Sequence, residues 1–262
     1  MKTVSLAFLA IALSLMAFPM RAQAPAAIPA AEEPHHHQVL ENSYVRVLRV
    51  SIPTGDATLL HAHNAPYVYV SLGPADFANA VAGKPEARVK LTDGQVGYSR
   101  GNFAHLVRAD AGIPFNNVTI ELLRPQGEPR NLCEKIVPGD AGTCDLSGYA
   151  ADAPIAVRPL LETDEIRVSE VVVRKGDATD KPHAQPGLLV AVSAAPITVA
   201  HVAGAATQTL HAGEIIWLPA GAVPKFTVAE GLESRLLLIS FKEAAAAAAP
   251  TAQIGRVYQP VL

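Results

Sequence analysis

The chain is expected to fold as an all-β protein built of two sandwiches or barrels in tandem, on three observations. Apolar residues recur with period two, as in Tyr44-Val-Arg-Val-Leu-Arg-Val-Ser-Ile52, Tyr67-Val-Tyr-Val-Ser-Leu72, Ala87-Arg-Val-Lys-Leu91, Asn117-Val-Thr-Ile-Glu-Leu-Leu123, Ile166-Arg-Val-Ser-Glu-Val-Val-Val-Arg174 and Arg235-Leu-Leu-Leu-Ile-Ser-Phe241. That period places alternate side chains on opposite faces of a strand. Turn signals such as Pro53-Thr-Gly55, Ala82-Gly-Lys-Pro85 and Thr92-Asp-Gly94 separate the runs, and no long helical period intervenes. Finally, the sequence repeats itself. Val39-Leu-Glu-Asn-Ser-Tyr-Val-Arg-Val47 matches Leu160-Leu-Glu-Thr-Asp-Glu-Ile-Arg-Val168, and at the same offset of 121 Gly55-Asp-Ala-Thr58 matches Gly176-Asp-Ala-Thr179. Each repeat, of about 85 residues, is small for independent stability, so the two should share a buried face.

In chain order, residues 1–24 read as a secretory signal peptide. Lys2 precedes an apolar run from 4 to 18, and Ala22-Gln-Ala24 ends it in a small-x-small pattern. The run is shorter than the roughly 20 residues of a membrane span. Cleavage after Ala24 or after Ala26 both fit, because Pro25 directly follows the first pattern. A periplasmic or secreted location is expected, with no membrane attachment after cleavage. Residues 25–37 are Ala/Pro-rich, end in His35-His36-His37 and read as a flexible, solvated lead-in without function, able at most to bind stray divalent ions weakly. Repeat one covers 38–125, a connector 126–156, repeat two 157–243, and a tail 244–262.

The whole chain carries 21 basic and 24 acidic residues; without Lys2 and Arg21 the balance is 19 to 24, a net charge of −5, with no basic block. Nucleic acid is therefore excluded as a partner class, since counterion release needs clustered Lys and Arg. Cys133 and Cys144, the two cysteines, lie in a Gly/Pro/Asp-containing connector. In an oxidising compartment a structural disulfide is the simplest reading; a two-cysteine metal or redox site is the alternative, without C-x-x-C spacing or a nearby histidine to favour it.

Gly55-x5-His61-x-His63-x3-Tyr67-x5-Gly73 resembles the first sequence motif of the cupin superfamily, and Gly94-x5-Arg100-x-Asn102-x2-His105 resembles the second. Gly213-Glu-Ile-Ile-Trp-Leu-Pro219-Ala-Gly221-Ala-Val-Pro224 resembles that second motif too, with Pro224 where the histidine should stand. The resemblance covers both repeats and implies two tandem double-stranded β-helix (jelly-roll) barrels, a bicupin with a degenerate second repeat. It implies one divalent transition metal, Fe, Mn, Zn or Cu, on His61, His63 and His105 in the first repeat only, because His61 aligns with Pro182 and His63 with Ala184. His61 and His63, two apart on a strand, can face one ion together.

The family's acidic ligand is missing: Tyr67 or Val68 stands at its position. Tyr67 shares the parity of His63 and is the candidate catalytic residue. Tyr69 and Ser71 continue that face as substrate-lining candidates. Arg100 either lines the cavity, suiting an anionic substrate, or faces solvent on a turn. Trp217 is expected to pack in a core. The expected function is metal-dependent small-molecule chemistry of dioxygenase-like type, with a non-catalytic metal or small-molecule binder as the alternative; a homodimer through the second repeat is compatible with either. No nucleophile elbow, phosphate loop, H-E-x-x-H or dinucleotide fingerprint is present.

Overall fold

The computed structural model describes residues 26–174, 176–179, 181, 183–193, 195–201 and 207–242. The expected signal peptide, the tail and Pro182 lie outside them. Among the described residues the regular structure is β apart from a single 3-10 turn. The first half comprises β1 (Ile28–Pro29), the 3-10 turn η1 (Ala30–Glu32), β2 (His36–Glu41), β3 (Val45–Ile52), β4 (His61–His63), β5 (Tyr67–Ser71), β6 (Ala75–Val81), β7 (Ala87–Leu91), β8 (Val96–Ser99), β9 (Phe103–Arg108) and β10 (Phe115–Leu122). They form two five-stranded sheets, in the orders β1-β4-β9-β6-β7 and β2-β3-β10-β5-β8. The non-consecutive neighbours are those of a jelly-roll barrel, in which two sheets close on one interior.

The second half comprises β11 (Arg130–Asn131), β12 (Ile155–Glu162), β13 (Ile166–Val173), β14 (Asp177–Thr179), β15 (Gly187–Ala191), β16 (Ile197–His201), β17 (Gln208–Leu210), β18 (Ile215–Leu218), β19 (Pro224–Val228) and β20 (Ser234–Phe241). Its sheets run β11-β12-β13-β20-β15-β18 and β14-β19-β16-β17. From β12 onward the larger sheet repeats the order of β2-β3-β10-β5-β8.

The two barrels pack through those equivalent sheets. Val45, Val47, Val68, Val70, Val118, Ile120 and Leu122 from the first form one buried cluster with Ile166, Val168, Leu188, Val190, Leu237, Ile239 and Phe241 from the second. The strands concerned are apolar on both faces because each face is covered, one by its own barrel and one by the neighbour. Along β3 the residues alternate, Val45 and Val47 facing the other barrel and Leu48, Val50 and Ile52 the interior of their own. Tyr44, Trp217 and Phe241 close one end of this interface with ring centroids 4.9 to 5.5 Å apart.

The interiors differ. The second barrel is filled by apolar side chains, among them Val171, Leu189, Leu218, Phe226, Leu236 and Leu238. In the first, the inward residues of β10, the strand equivalent to β20, are Asn117, Thr119 and Glu121, and the centre holds a cavity of about 180 Å³.

The connector is an ordered loop. Cys133 and Cys144 are joined by a disulfide. Buried Asn131 braces the loop: its Nδ2 donates to the carbonyls of Val137 and Asp140 at 2.9 and 3.1 Å, and its Oδ1 accepts from the N–H of Ile136 and Val137 at 3.0 and 2.8 Å. Changing both cysteines to serine is expected to cost about 2 to 3 kcal/mol, the chain-entropy value for so short a loop, without changing metal content. Denaturant unfolding checks this; a loss below about 0.5 kcal/mol would leave Asn131 as the determinant of the loop.

The segment expected to be a flexible lead-in is instead built into the first barrel. β1 pairs parallel to β4, Ile28 opposite His61, and β2 pairs antiparallel to β3, His36 opposite Val50. Ala30 is buried in the barrel core. Burial of its apolar residues and a continuous strand ladder outweigh the low-complexity composition.

Candidate metal centre

β4 is three residues long and lies between β1, the edge strand, and β9, and its His61 and His63 both point inward with Ala62 between them. His61 lies directly opposite His105 on β9. Their ring centroids are 4.5 Å apart, and the His63 ring is 5.2 Å from His61 and 5.3 Å from His105. The structure therefore brings together the three histidines singled out in the sequence.

It also brings a fourth, which sequence reasoning missed. His36 on β2 is 8% exposed, and its ring lies 4.6 Å from that of His61 and 6.0 Å from that of His63. One ring nitrogen from each of His36, His61 and His63 falls within 4.8 Å of the others. The reading of His35 to His37 as a solvated run is thus corrected: His35 lies in the turn before β2 and is half-buried, His36 opens the strand and faces inward, and His37 is exposed. A bulge between Gln38 and Leu40 resets the parity of β2, so Leu40 faces the second barrel while His36 faces the cavity.

Each of the four rings has its Nδ1 engaged by an oxygen acceptor. His61 Nδ1 donates to the Leu59 carbonyl at 2.9 Å, His105 Nδ1 to Asn79 Oδ1 at 2.8 Å, His63 Nδ1 to Glu121 Oε1 at 3.3 Å and His36 Nδ1 to Glu33 Oε2 at 2.6 Å. Carbonyl and carboxylate oxygens only accept, so the proton resides on Nδ1 and the lone pair on Nε2. The Nε2 atoms of His61 and His105 are buried and have no hydrogen-bond partner. An orphaned buried polar atom is costly, whereas an oxygen acceptor behind an imidazole is the normal setting of a metal ligand. The nitrogens that converge within 4.8 Å are those of His36, His61 and His63, and His105 stands beside that group, its ring 4.5 Å from His61. The donor set fits a divalent transition ion.

Burial tunes the site towards neutral imidazoles. Desolvation, followed by its histidine neighbours, pushes His105 down to about 2, and desolvation takes His61 down to about 4. Burial also lowers His36, outweighing the pull of Glu33. Burial would raise Glu33, but hydrogen bonds from His36 and His35 hold it down to about 2. Glu121 is likewise lowered against its burial by His63 and by Arg46, whose Nη1 lies 3.0 Å from Oε2.

Around the rings the cavity wall contains Tyr67, Tyr69, Phe77 and Phe115 with the polar side chains of Thr58, Asn79, Asn117 and Thr119. Among the described residues no lysine or arginine lines it. Tyr67 packs its ring 4.5 Å from that of His63, and burial pushes its phenol up to about 12, so it is a neutral hydroxyl bonded to Ser99. Tyr69 lies flat over Gly97: a Cβ there would sit 2.2 Å from the Tyr69 ring, which explains the glycine.

Two expected lining residues are not on the cavity wall. Ser71 shares the parity of Tyr67 and Tyr69 but closes β5, where its Oγ donates to the Gly73 carbonyl at 2.8 Å and serves the turn. Arg100 is exposed and pairs with Glu128, Nη1 to Oε1 3.2 Å. It precedes Gly101 and Asn102, both at positive φ, and this turn throws it into solvent. Val68, the alternative to Tyr67, faces the second barrel.

No protein-family model matches the sequence, and no curated protein does. Solved structures do match. HEPD from Streptomyces albus, with 2-hydroxyethylphosphonate and Fe(II) bound, superposes with a TM-score of 0.55 at 12% identity, over 80% of this chain and 71% of its own. A salicylate 1,2-dioxygenase from Pseudaminobacter salicylatoxidans gives 0.51 at 11% identity, over 76% and 71%. A cupin 2 conserved barrel domain protein from Leptotrichia buccalis gives 0.50 at 12% identity, over 83% and 92%. With strand order, sheet pairing and these superpositions in agreement, the fold is the cupin jelly-roll barrel, present twice.

Proposed function

We propose that the protein is an exported bicupin whose first barrel holds one divalent transition metal on His61, His63 and His105 and uses it on a small, uncharged molecule, and whose second barrel is a degenerate copy that supports the first. The observation that carries this reading is the pair of buried Nε2 atoms on His61 and His105 that no protein group satisfies and that a bound ion would satisfy. The disulfide suits an oxidising compartment, and no helix among the described residues is long and apolar enough to cross a membrane. When bound, the metal would supply Lewis acidity or activate dioxygen. The fold neighbours include an Fe(II)-bound protein and a dioxygenase, which supports the second of these.

The chain's own residues set the substrate class. A cavity of about 180 Å³ walled by four aromatic rings matches one small ring in size, since an apolar cavity of about 150 Å³ accepts benzene. With no lysine or arginine among the described residues of the wall, a carboxylate or phosphonate would have the ion alone to pair with, whereas an uncharged molecule needs no such partner. Asn117 and Thr119 supply neutral hydrogen bonds to a hydroxyl or carbonyl. Tyr67, held neutral beside His63, is the O–H we assign to orient substrate or donate a proton.

Elemental analysis of the mature protein should give one metal per chain, followed by oxygen uptake with phenols, diketones and thiols. Tyr67→Phe should keep the metal and lower turnover by roughly 10² to 10⁴. Absence of metal, or two equivalents, would refute the site. One metal with no turnover of any class would favour the non-catalytic binder.

A further inference from the structure

The metal-binding reading leaves one buried group unexplained, the carboxylate of Glu33. It is 1% exposed and has four hydrogen-bond contacts, from the backbone N–H of His35 at 2.8 Å and Leu59 at 3.1 Å, from His35 Nδ1 at 3.1 Å and from His36 Nδ1 at 2.6 Å. No lysine or arginine is among these partners. Glu121, the other carboxylate behind the rings, does have such a partner in Arg46. His35 can carry charge, but it is shared with Asp56, its Nε2 lying 3.2 Å from Oδ2, so the buried carboxylate has no cation of its own and needs positive charge from elsewhere.

His36 lies between that carboxylate and the other rings. Its Nδ1 is spent on Glu33, so its Nε2 is left towards the cavity, and the ring is as close to His61 as His105 is, 4.6 against 4.5 Å. A strand bulge is used to turn it there. Resting on the metal reading above, we infer that His36 is a fourth protein ligand and that Glu33 is its positioning residue, so that the ion is held by four imidazoles with no carboxylate bound to it directly. Glu33 and Glu121, one behind His36 and one behind His63, then balance the two charges of the ion through the rings. The donor missing at positions 67 and 68 is supplied by the N-terminal strand. The N-terminal segment, pinned through β1 to the edge of β4, is therefore part of the metal site.

Zn(II) titration of the mature full chain labelled with 15N-histidine tests this without disturbing the fold, because an Nε2 that binds zinc shifts its resonance. Four shifted Nε2 signals are expected, with His36 assigned by its loss in His36→Gln. Three shifted signals with His36 unmoved would overturn the inference and leave the three-histidine reading standing. No zinc uptake would overturn both. In chelator competition, Glu33→Gln should weaken zinc binding by about 10- to 100-fold, the range for a group that positions a ligand, and His36→Gln, which removes the ligand itself, by at least as much. An affinity within two-fold of the parent in both variants, beside complete loss in His61→Ala, would overturn the inference alone. Should His36→Gln fail to fold, the signal count on the parent protein decides.

Discussion

Changing His61 and His63 together to alanine is expected to abolish metal binding while both barrels stay folded. The two residues face a cavity, and the cores that hold the fold, the inter-barrel face and the interior of the second barrel, contain neither. Loss of the His63 ring removes one partner from Glu121 and leaves Arg46 at 3.0 Å, so the buried carboxylate stays paired. Circular dichroism should therefore be unchanged. The parent protein should be stabilised by added metal, by about 4 kcal/mol at a thousand-fold excess over Kd. For a domain pair of this size that is a rise in Tm of roughly 10 °C. The variant should show no rise. A variant that retains an equivalent of metal would place the ion elsewhere; one that is unfolded under all conditions would make the histidines structural.

Legibility of the site in the sequence follows local geometry. His61 and His63 were visible because a strand's period of two is unbroken between them, and His105 because the residues from Gly94 to His105 resemble the second cupin motif. His36 was hidden by the bulge at Gln38 and Leu40, which breaks the parity that would link it to the rest of β2, and by the alanine- and proline-rich composition before it. Asn117, Thr119 and Glu121 did carry a signal: polar residues at alternate positions of a strand whose other positions are Val118, Ile120 and Leu122. That pattern places a polar interior opposite an apolar exterior, the reverse of an ordinary sandwich strand, and points to a cavity. Arg100 was left open between the cavity wall and a solvent-facing turn, and the positive-φ pair after it decides for solvent. Asn79 acts on a ring of another strand, 26 residues away, which only the pairing of strands reveals, whereas Glu33 lies three residues before His36, in the turn that leads into β2.

The same burial that prepares the histidines for a metal should make the protein acid-labile when a chelator has stripped it. His61 has its folded pKa depressed from 6.5 to about 4 and His105 to about 2, both led by desolvation. Below pH 6.5 the unfolded chain binds these protons and the folded one does not, so stability falls as pH falls. Its full contribution is present above the unfolded value. With about 1.4 kcal/mol per pKa unit, His61 alone removes on the order of 3 kcal/mol by the time its folded value is reached, and His105 adds to this. Glu33, lowered from 4.5 to about 2, acts with the same sign in the next window: its stabilisation is present above pH 4.5 and is lost as pH falls towards 2. The loss therefore begins at the histidines and continues through the carboxylate, against a total stability of about 5 to 15 kcal/mol. Urea unfolding in chelator at pH 7, 6, 5 and 4 should show a steepening decline below pH 6.5, with the His61→Ala variant less sensitive between pH 6.5 and 4. A parent curve that is flat down to pH 5 would mean that the rings take up protons without unfolding, so that the pocket is wetter than its burial indicates. Bound metal should delay the onset and then sharpen it, because protons compete with the ion for the same Nε2 atoms.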